Sequence, residues 1–409
     1  MTPDARLLLG ARALRAFGDG FVSVLLPAYL LALGFAAVQV GAVSTSTLLG
    51  SGALTLLVGL IAHRIRRRSL LLAAAVLMAA TGLAFATVHA FWPLVLVAFI
   101  GTLNPSSGDV SVFLPLEQAL LPETVGARSR TALFARYSLI GSLVGAAGAL
   151  SAGLPGAIAA RVHSDPMVAL EAMFGVYGVL GLTSLLLYRR LSRAIDTPTT
   201  EPAPLRESKR IVFTLAGLFS LDALGAGFVV QSILALWLFE RFDLPVATAG
   251  TIFFWTGVLS AGSHLVAARL AARIGLINTM VFTHLPSNVL LVLVPFMPTL
   301  PLAVLVLMLR SALSQMDVPT RSSYVMAVVP PAERPAAASV TSVPRSLAQA
   351  VGPLPAGYLL GLSTFGWPLV IAGALKAVYD LLLLAMFARV QPPEERERIP
   401  ASPAASRRL

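Results

Sequence analysis

Apolar runs of twenty or more residues follow one another along this chain with only short polar interruptions. About 20 such residues cross a bilayer as a helix, so the pattern predicts a stack of membrane spans. Twelve can be placed, at about 8–33, 37–62, 69–90, 92–121, 129–154, 167–189, 211–239, 244–272, 275–297, 299–328, 335–361 and 365–389. Most connections are short, as a helical bundle requires. The exception is RRLSRAIDTPTTEPAPLRESKR from Arg189 to Arg210, whose Pro, Thr and charge predict a linker. The expected fold class is all-α and polytopic: an N-terminal six-helix bundle over 1–189, a cytoplasmic linker over 190–210, and a C-terminal six-helix bundle over 211–390. The Pro-rich polar tail 391–409 is expected to be disordered.

The two halves repeat. Gly41 aligns with Gly250 and Arg64 with Arg273 at one offset of 209 residues, and GDGFV at Gly18 matches GAGFV at Gly225 at 207. Two copies in the same orientation imply a pseudo-two-fold axis along the membrane normal and a cavity between them near the midplane.

Composition agrees: 57% of residues are hydrophobic, 12% are charged, and the mean hydropathy is +0.83. The net charge of +11 comes from Arg clusters between spans, which argues for orientation and not for nucleic acid. Arg6, Arg12, Arg15, Arg64 to Arg68, Arg128, Arg130, the 189–210 stretch, Arg269, Arg273, Arg334 and the tail fall on one side, with only Arg161 and Arg241 opposite. Both termini and the linker are therefore expected in the cytoplasm, and the basic N-terminus is expected to lead an uncleaved first span. With no cysteine there is no thiolate metal site, and the five scattered histidines have no metal-ligand spacing. No phosphate-binding Gly-rich loop with a Lys and no catalytic constellation is visible, so neither enzyme activity, nor a cofactor, nor ATP-driven transport is expected.

The loop after the second span, GLIAHRIRRRSL from Gly59 to Leu70, resembles the signature of the major facilitator superfamily, and ARLAARIG from Ala268 to Gly275 keeps part of it in the second half. His63 and Ala272 stand where the family's Asp stands, and Arg66 replaces its Gly. The resemblance covers nearly the whole chain and implies secondary transport by alternating access, without naming a substrate. It also implies a cytoplasmic gate at His63, Arg64 and Arg273, although plain positive-inside charge reads the same way. GPLPAG from Gly352 resembles the glycine-proline motif of superfamily exporters, here on the eleventh span instead of the fifth.

Ionisable groups inside spans are the candidate chemistry. Gly101 to Arg136 has an echo in Leu309 to Arg345: Asp109 matches Asp317, LPE at Leu121 matches VPP at Val329, and Arg136 matches Arg345. On the tenth span Arg310, Ser314, Asp317 and Arg321 fall on one helical stripe, read either as a cavity wall or as a packing network. On the fourth, Pro105 and Pro115 around NPSSGD predict a broken helix with Asp109 toward water; Glu117 is read as a gate, a salt bridge or an interfacial group. Arg136 and Arg345 lie too deep to snorkel and need carboxylates, from Glu117, Asp109 or Asp317. Asp19 has Arg15 and Arg12 as local partners; Asp222 is either protonated or paired across helices; Lys376 and Asp380 read as a structural i, i+4 pair.

The expected function is proton-coupled export of a small organic molecule by a monomer in a plasma membrane such as a bacterial inner membrane. Asp19, Asp109, Asp222 and Asp317 are the proton candidates. Import of an organic anion and a non-transporting membrane sensor or scaffold remain alternatives.

Overall fold

The computed structural model describes residues 2–61, 65–106, 111–124, 130–192 and 205–387. His63, Arg64, Asp109, most of the linker and the tail lie outside them. The described chain is helical, and ten helical segments are long and apolar enough to cross a membrane.

α1 (Pro3–Ala32) starts where Thr2 accepts the Ala5 N–H and Pro3 supplies a first-turn residue with no N–H to satisfy. α2 (Ala37–Ile61) and α3 (Arg67–Thr87) are continuous, as the hydropathy predicts. The fourth span is not. α4 (Phe91–Ile100) stops at Gly101, the chain runs non-helically through Ser106, and α5 (Phe113–Leu120) resumes. Asn104 holds this break by accepting from the Ser106 N–H and hydroxyl at 3.0 and 2.7 Å. α6 (Arg130–Ser151), α7 (Leu154–Val162) and α8 (Pro166–Arg189) complete the first half.

In the second half α9 (Lys209–Gly227) and α10 (Gln231–Phe242) form one interrupted span, followed by α11 (Val246–Ile274) and α12 (Leu276–Leu293). The tenth span, read from sequence as one helix, breaks at Gln315 and Met316 into α13 (Leu300–Ser314) and α14 (Asp317–Val328). The eleventh divides at Gly352 into α15 (Arg334–Val351) and α16 (Pro353–Leu362), and α17 (Trp367–Phe387) ends the described chain. Pro353 explains that division, because its ring cannot continue the backbone ladder.

Within the halves α1 packs on α6 and α8, and α9 on α15 and α17. Small residues allow the close approach. A Cβ on Gly20 would lie 2.0 Å from the Gly145 carbonyl, and one on Gly148 would lie 2.1 Å from that of Phe17, so α6 and α1 touch backbone to backbone. Large apolar side chains such as Leu83, Trp92 and Leu186 are exposed, as an outward face toward lipid requires.

Between the halves α2 packs on α15 and α16, and α6 on α11. These contacts concentrate at the end remote from Pro3. A Cβ on Gly41 would lie 2.4 Å from the Pro353 carbonyl, and one on Gly250 would lie 2.5 Å from that of Ala149. The Ser44 and Ser232 hydroxyls share a hydrogen bond at 3.2 Å, and the Leu354 N–H donates to Thr45 Oγ1 at 2.9 Å. One end of the interface is thereby closed, and the central cavity lies on the side of this closure where α1 begins.

Candidate transport cavity

A cavity of about 440 Å³ sits between the halves, walled by α1, α5 and α6 on one side and by α9 to α15 and α17 on the other. That size suits a small organic ligand. Its wall includes Arg12, Arg310, Arg321, Arg345 and Lys376 against Asp222 and Asp317, so cations outnumber acids among the lining residues.

On the first-half side, Arg15 of α1 donates to the Glu117 carboxylate of α5. Glu117 is fully buried and also accepts from the Tyr137 hydroxyl at 2.5 Å and the Tyr188 hydroxyl at 2.6 Å. The Arg15 guanidinium stacks over Phe113, 4.3 Å from the ring centre, and its Nε donates to Tyr188 at 3.2 Å. Of the readings of Glu117, the salt bridge is the one the structure displays, and the interfacial one is not. Two other expectations are corrected. Arg15 is not the direct partner of Asp19, which is buried and forms no ion pair among the described residues. Arg136 does not draw on Glu117: it lies on an exposed face of α6, off the cavity wall. The one-turn spacing of Arg15 and Asp19 suggested a local pair, but Arg15 has turned to a carboxylate 102 residues away whose other bonds hold it in place.

Arg12 of α1 is 8% exposed and faces the cavity. Its guanidinium carbon lies 5.2 Å from the Tyr137 ring centre. Gly141 gives it room, since a Cβ there would fall 2.3 Å from Arg12 Nη2. The sequence showed Arg12 only as a basic residue near Asp19; a guanidinium nine residues inside an apolar helix was the available signal.

On the second-half side, Asp222 of α9 joins three helices. Lys376 Nζ of α17 donates to Asp222 at 2.5 Å, Arg321 Nη1 of α14 donates at 3.1 Å, and His284 Nε2 of α12 stands 3.8 Å away. Arg321 Nη2 reaches Asp317 Oδ2 at 2.5 Å. His284 Nδ1 lies 2.9 Å from Asp380, which also accepts from Asn288 Nδ2 at 2.8 Å. Asp222 is thus paired across helices, one of the two states left open by the sequence. Lys376 and Asp380 share a face without pairing with each other, because each has a shorter route to a neighbouring helix. His284 could not be read as part of this cluster, since its partners are 62 and 96 residues away in sequence.

The stripe on the tenth span survives its break: Arg310, Ser314, Asp317 and Arg321 all line the cavity, as do Arg345 and Gln349 of α15. Arg273 is exposed in the last turn of α11, away from the cavity.

The family model of the Major Facilitator Superfamily matches residues 8–314, three quarters of the chain. The chain belongs to this superfamily. Two helical halves around a central cavity, as in members of this superfamily, are what the described residues display. A curated relative, an uncharacterized membrane protein of Saccharomyces cerevisiae, is 24% identical over 94% of each chain. Among solved structures the fold is similar to that of the nucleoside transporter NupG, with TM-score 0.70, 16% identity, and coverage of 95% of this chain and 99% of that one. It is similar also to the human organic anion transporter TETRAN, with TM-score 0.65, 18% identity, and coverage of 93% and 99%. A bacterial homolog of the human lysosomal transporter Spinster, inward-facing and unoccupied, aligns with TM-score 0.68, 13% identity, and coverage of 93% and 95%. At these identities the likeness establishes the shared fold.

Proposed function

We propose that the protein is a secondary transporter that moves a small organic molecule by alternating access, coupled to protons and working in export. The observation that carries this reading is a cavity shared by both halves and closed at one end by glycine-level contacts. Rocking the halves apart at that closure and together at the other end would expose the same wall to the opposite side. In this reading the protein is a monomer in a plasma membrane such as a bacterial inner membrane; the charge distribution puts its termini in the cytoplasm, so the cavity is reached from inside.

Proton coupling rests on the embedded acids. Asp222 and Asp317 line the cavity, Asp19 is buried behind it, and Asp109 belongs to the same set by sequence. A proton on Asp222 would cancel the charge that holds Lys376 and Arg321, loosening α9 from α14 and α17 together. That links protonation to helix packing, and a charge crossing 100 mV contributes roughly 2.3 kcal/mol to bias the cycle. The surplus of cations on the wall favours a second reading, import of an organic anion, in which the released cations would take substrate and proton together.

Proteoliposomes containing the pure protein and a pH-sensitive dye test coupling and direction. Substrate efflux that acidifies the compartment it leaves is expected for export. Acid-driven accumulation indicates the second reading, and flux indifferent to a pH gradient overturns proton coupling.

A further inference from the structure

We propose that Arg12 and Arg310 are the two arms of one binding site for the acidic group of a small organic anion, one arm supplied by each half. The inference rests on the cavity being the transport site, and it holds for either direction of transport.

Most charged groups on the cavity wall have protein partners: Arg321 has Asp317 and Asp222, Lys376 has Asp222, and Arg345 is engaged within the protein. Arg12 and Arg310 differ. Nε and Nη1 of Arg12, Nε of Arg310 and Nε of Arg345 are buried without a hydrogen-bond partner among the described residues; for Arg12 and Arg310 no described carboxylate lies within 4 Å of the guanidinium, and Asp19 acts on Arg12 only at longer range along α1. The acid nearest to Arg310 in sequence, Asp317, is already committed to Arg321.

Buried donors left without acceptors are costly, and a guanidinium keeps its charge, so neither group can relieve the cost by losing a proton. An acceptor arriving from the cavity can. The planar fork matches a carboxylate or phosphate with two parallel hydrogen bonds, a geometry a lysine cannot offer. Gly141 supports the assignment, because the space its missing side chain leaves is filled by the Arg12 guanidinium. On the second-half side Gln349 Oε1 is likewise buried and unpartnered, an acceptor available to a hydroxyl or amide on the same ligand.

The arms stand on opposite halves, which bears on the transport cycle. Closing the cleft around an empty cavity would press Arg310, with no described carboxylate within 4 Å, toward Arg12, with only the longer-range attraction of Asp19, in a medium of low dielectric constant. A bound anion removes that opposition, so the loaded protein reorients faster than the empty one.

Full-length protein in detergent at low ionic strength is titrated with inorganic phosphate, benzoate and succinate, with succinamide as the uncharged counterpart of succinate. At least one acid is expected to raise the melting temperature while succinamide does not. Arg12→Gln and Arg310→Gln are each expected to weaken that acid's binding tenfold or more, as loss of one member of a buried charge pair does. Gly141→Ala keeps the charge but displaces the Arg12 fork, and is expected to weaken binding too, which guards against a glutamine variant that fails to fold. Stabilisation by none of the acids, equal stabilisation by succinamide, or unchanged acid binding in either arginine variant overturns the site. Acid binding that needs both arginines, without acid flux in proteoliposomes, keeps the site and overturns the transport reading. Flux of an uncharged solute unaffected by either variant, with no acid stabilising the wild type, does the reverse.

Discussion

Arg15 and Glu117 form a buried ion pair between α1 and α5, closed on the acid's side by the hydroxyls of Tyr137 and Tyr188. The pair ties the second segment of the broken fourth span to the first helix. Removing one partner from such a pair leaves an uncompensated charge and costs about 3–5 kcal/mol. Glu117→Ala is therefore expected to lower the melting temperature of the detergent-purified protein sharply, with Arg15→Met in the same chain recovering most of the loss. A single variant that melts like the wild type would show that the pair contributes nothing.

Ser44 and Ser232 meet across the closed end of the interface with their hydroxyls 3.2 Å apart. The chain has no cysteine, so Ser44→Cys with Ser232→Cys introduces the only two thiols present. Mild oxidation is expected to crosslink them rapidly, visible as a mobility shift, and to arrest transport until reductant is added. Full transport by the crosslinked protein would overturn alternating opening at this end.

Asp222 gathers Lys376 and Arg321 from two other helices. Asp222→Asn takes from Lys376 its acid partner, leaves Arg321 with Asp317 alone, and removes the carboxyl proposed to titrate. Substrate exchange between equal concentrations is expected to persist, reduced, while its response to an imposed pH gradient disappears. An unchanged response to the gradient would move the coupling site elsewhere.

Glu333, just before α15, accepts the Ser208 hydroxyl and the backbone N–H groups of Arg206, Glu207 and Ser208, which docks the end of the linker on the second half. The Ser208 hydroxyl above all, then these backbone donors, lowers its pKa from 4.5 to about 2. A carboxyl with a lowered pKa contributes stability that is complete above its ordinary value and is lost as pH falls through the lowered one. The gap in melting temperature between wild type and Glu333→Gln should be constant above about pH 4.5 and narrow from there toward pH 2. A gap independent of pH across that window would contradict this role. Glu333→Gln should also expose the linker to proteolysis.

How far the site could be read in advance varied with the reach of each interaction. The Arg310, Ser314, Asp317 and Arg321 stripe was legible because four polar residues at helical spacing in an apolar span can share only one face, and that face cannot meet lipid. The break after Gly101, through Ser106, was legible from Pro105. The break at Gln315 was not, since neither residue there is a breaker. Arg136 matches Arg345 in the repeat, yet only Arg345 lines the cavity, because the repeat fixes backbone position and leaves each half to pair its own charges.

Hydropathy and the 209-residue offset alone determined a membrane-embedded pair of six-span bundles, because a bilayer accepts few backbone solutions and each one writes its length into the chain. Charge inside those spans likewise required an interior. Which acid satisfies which cation was decided only in three dimensions: Arg15 turned from Asp19 to Glu117, Asp222 drew Lys376 and Arg321, and Arg12 and Arg310 were left facing the cavity. Such pairings depend on distances of a few ångströms between helices far apart in sequence, and neither periodicity nor composition encodes them.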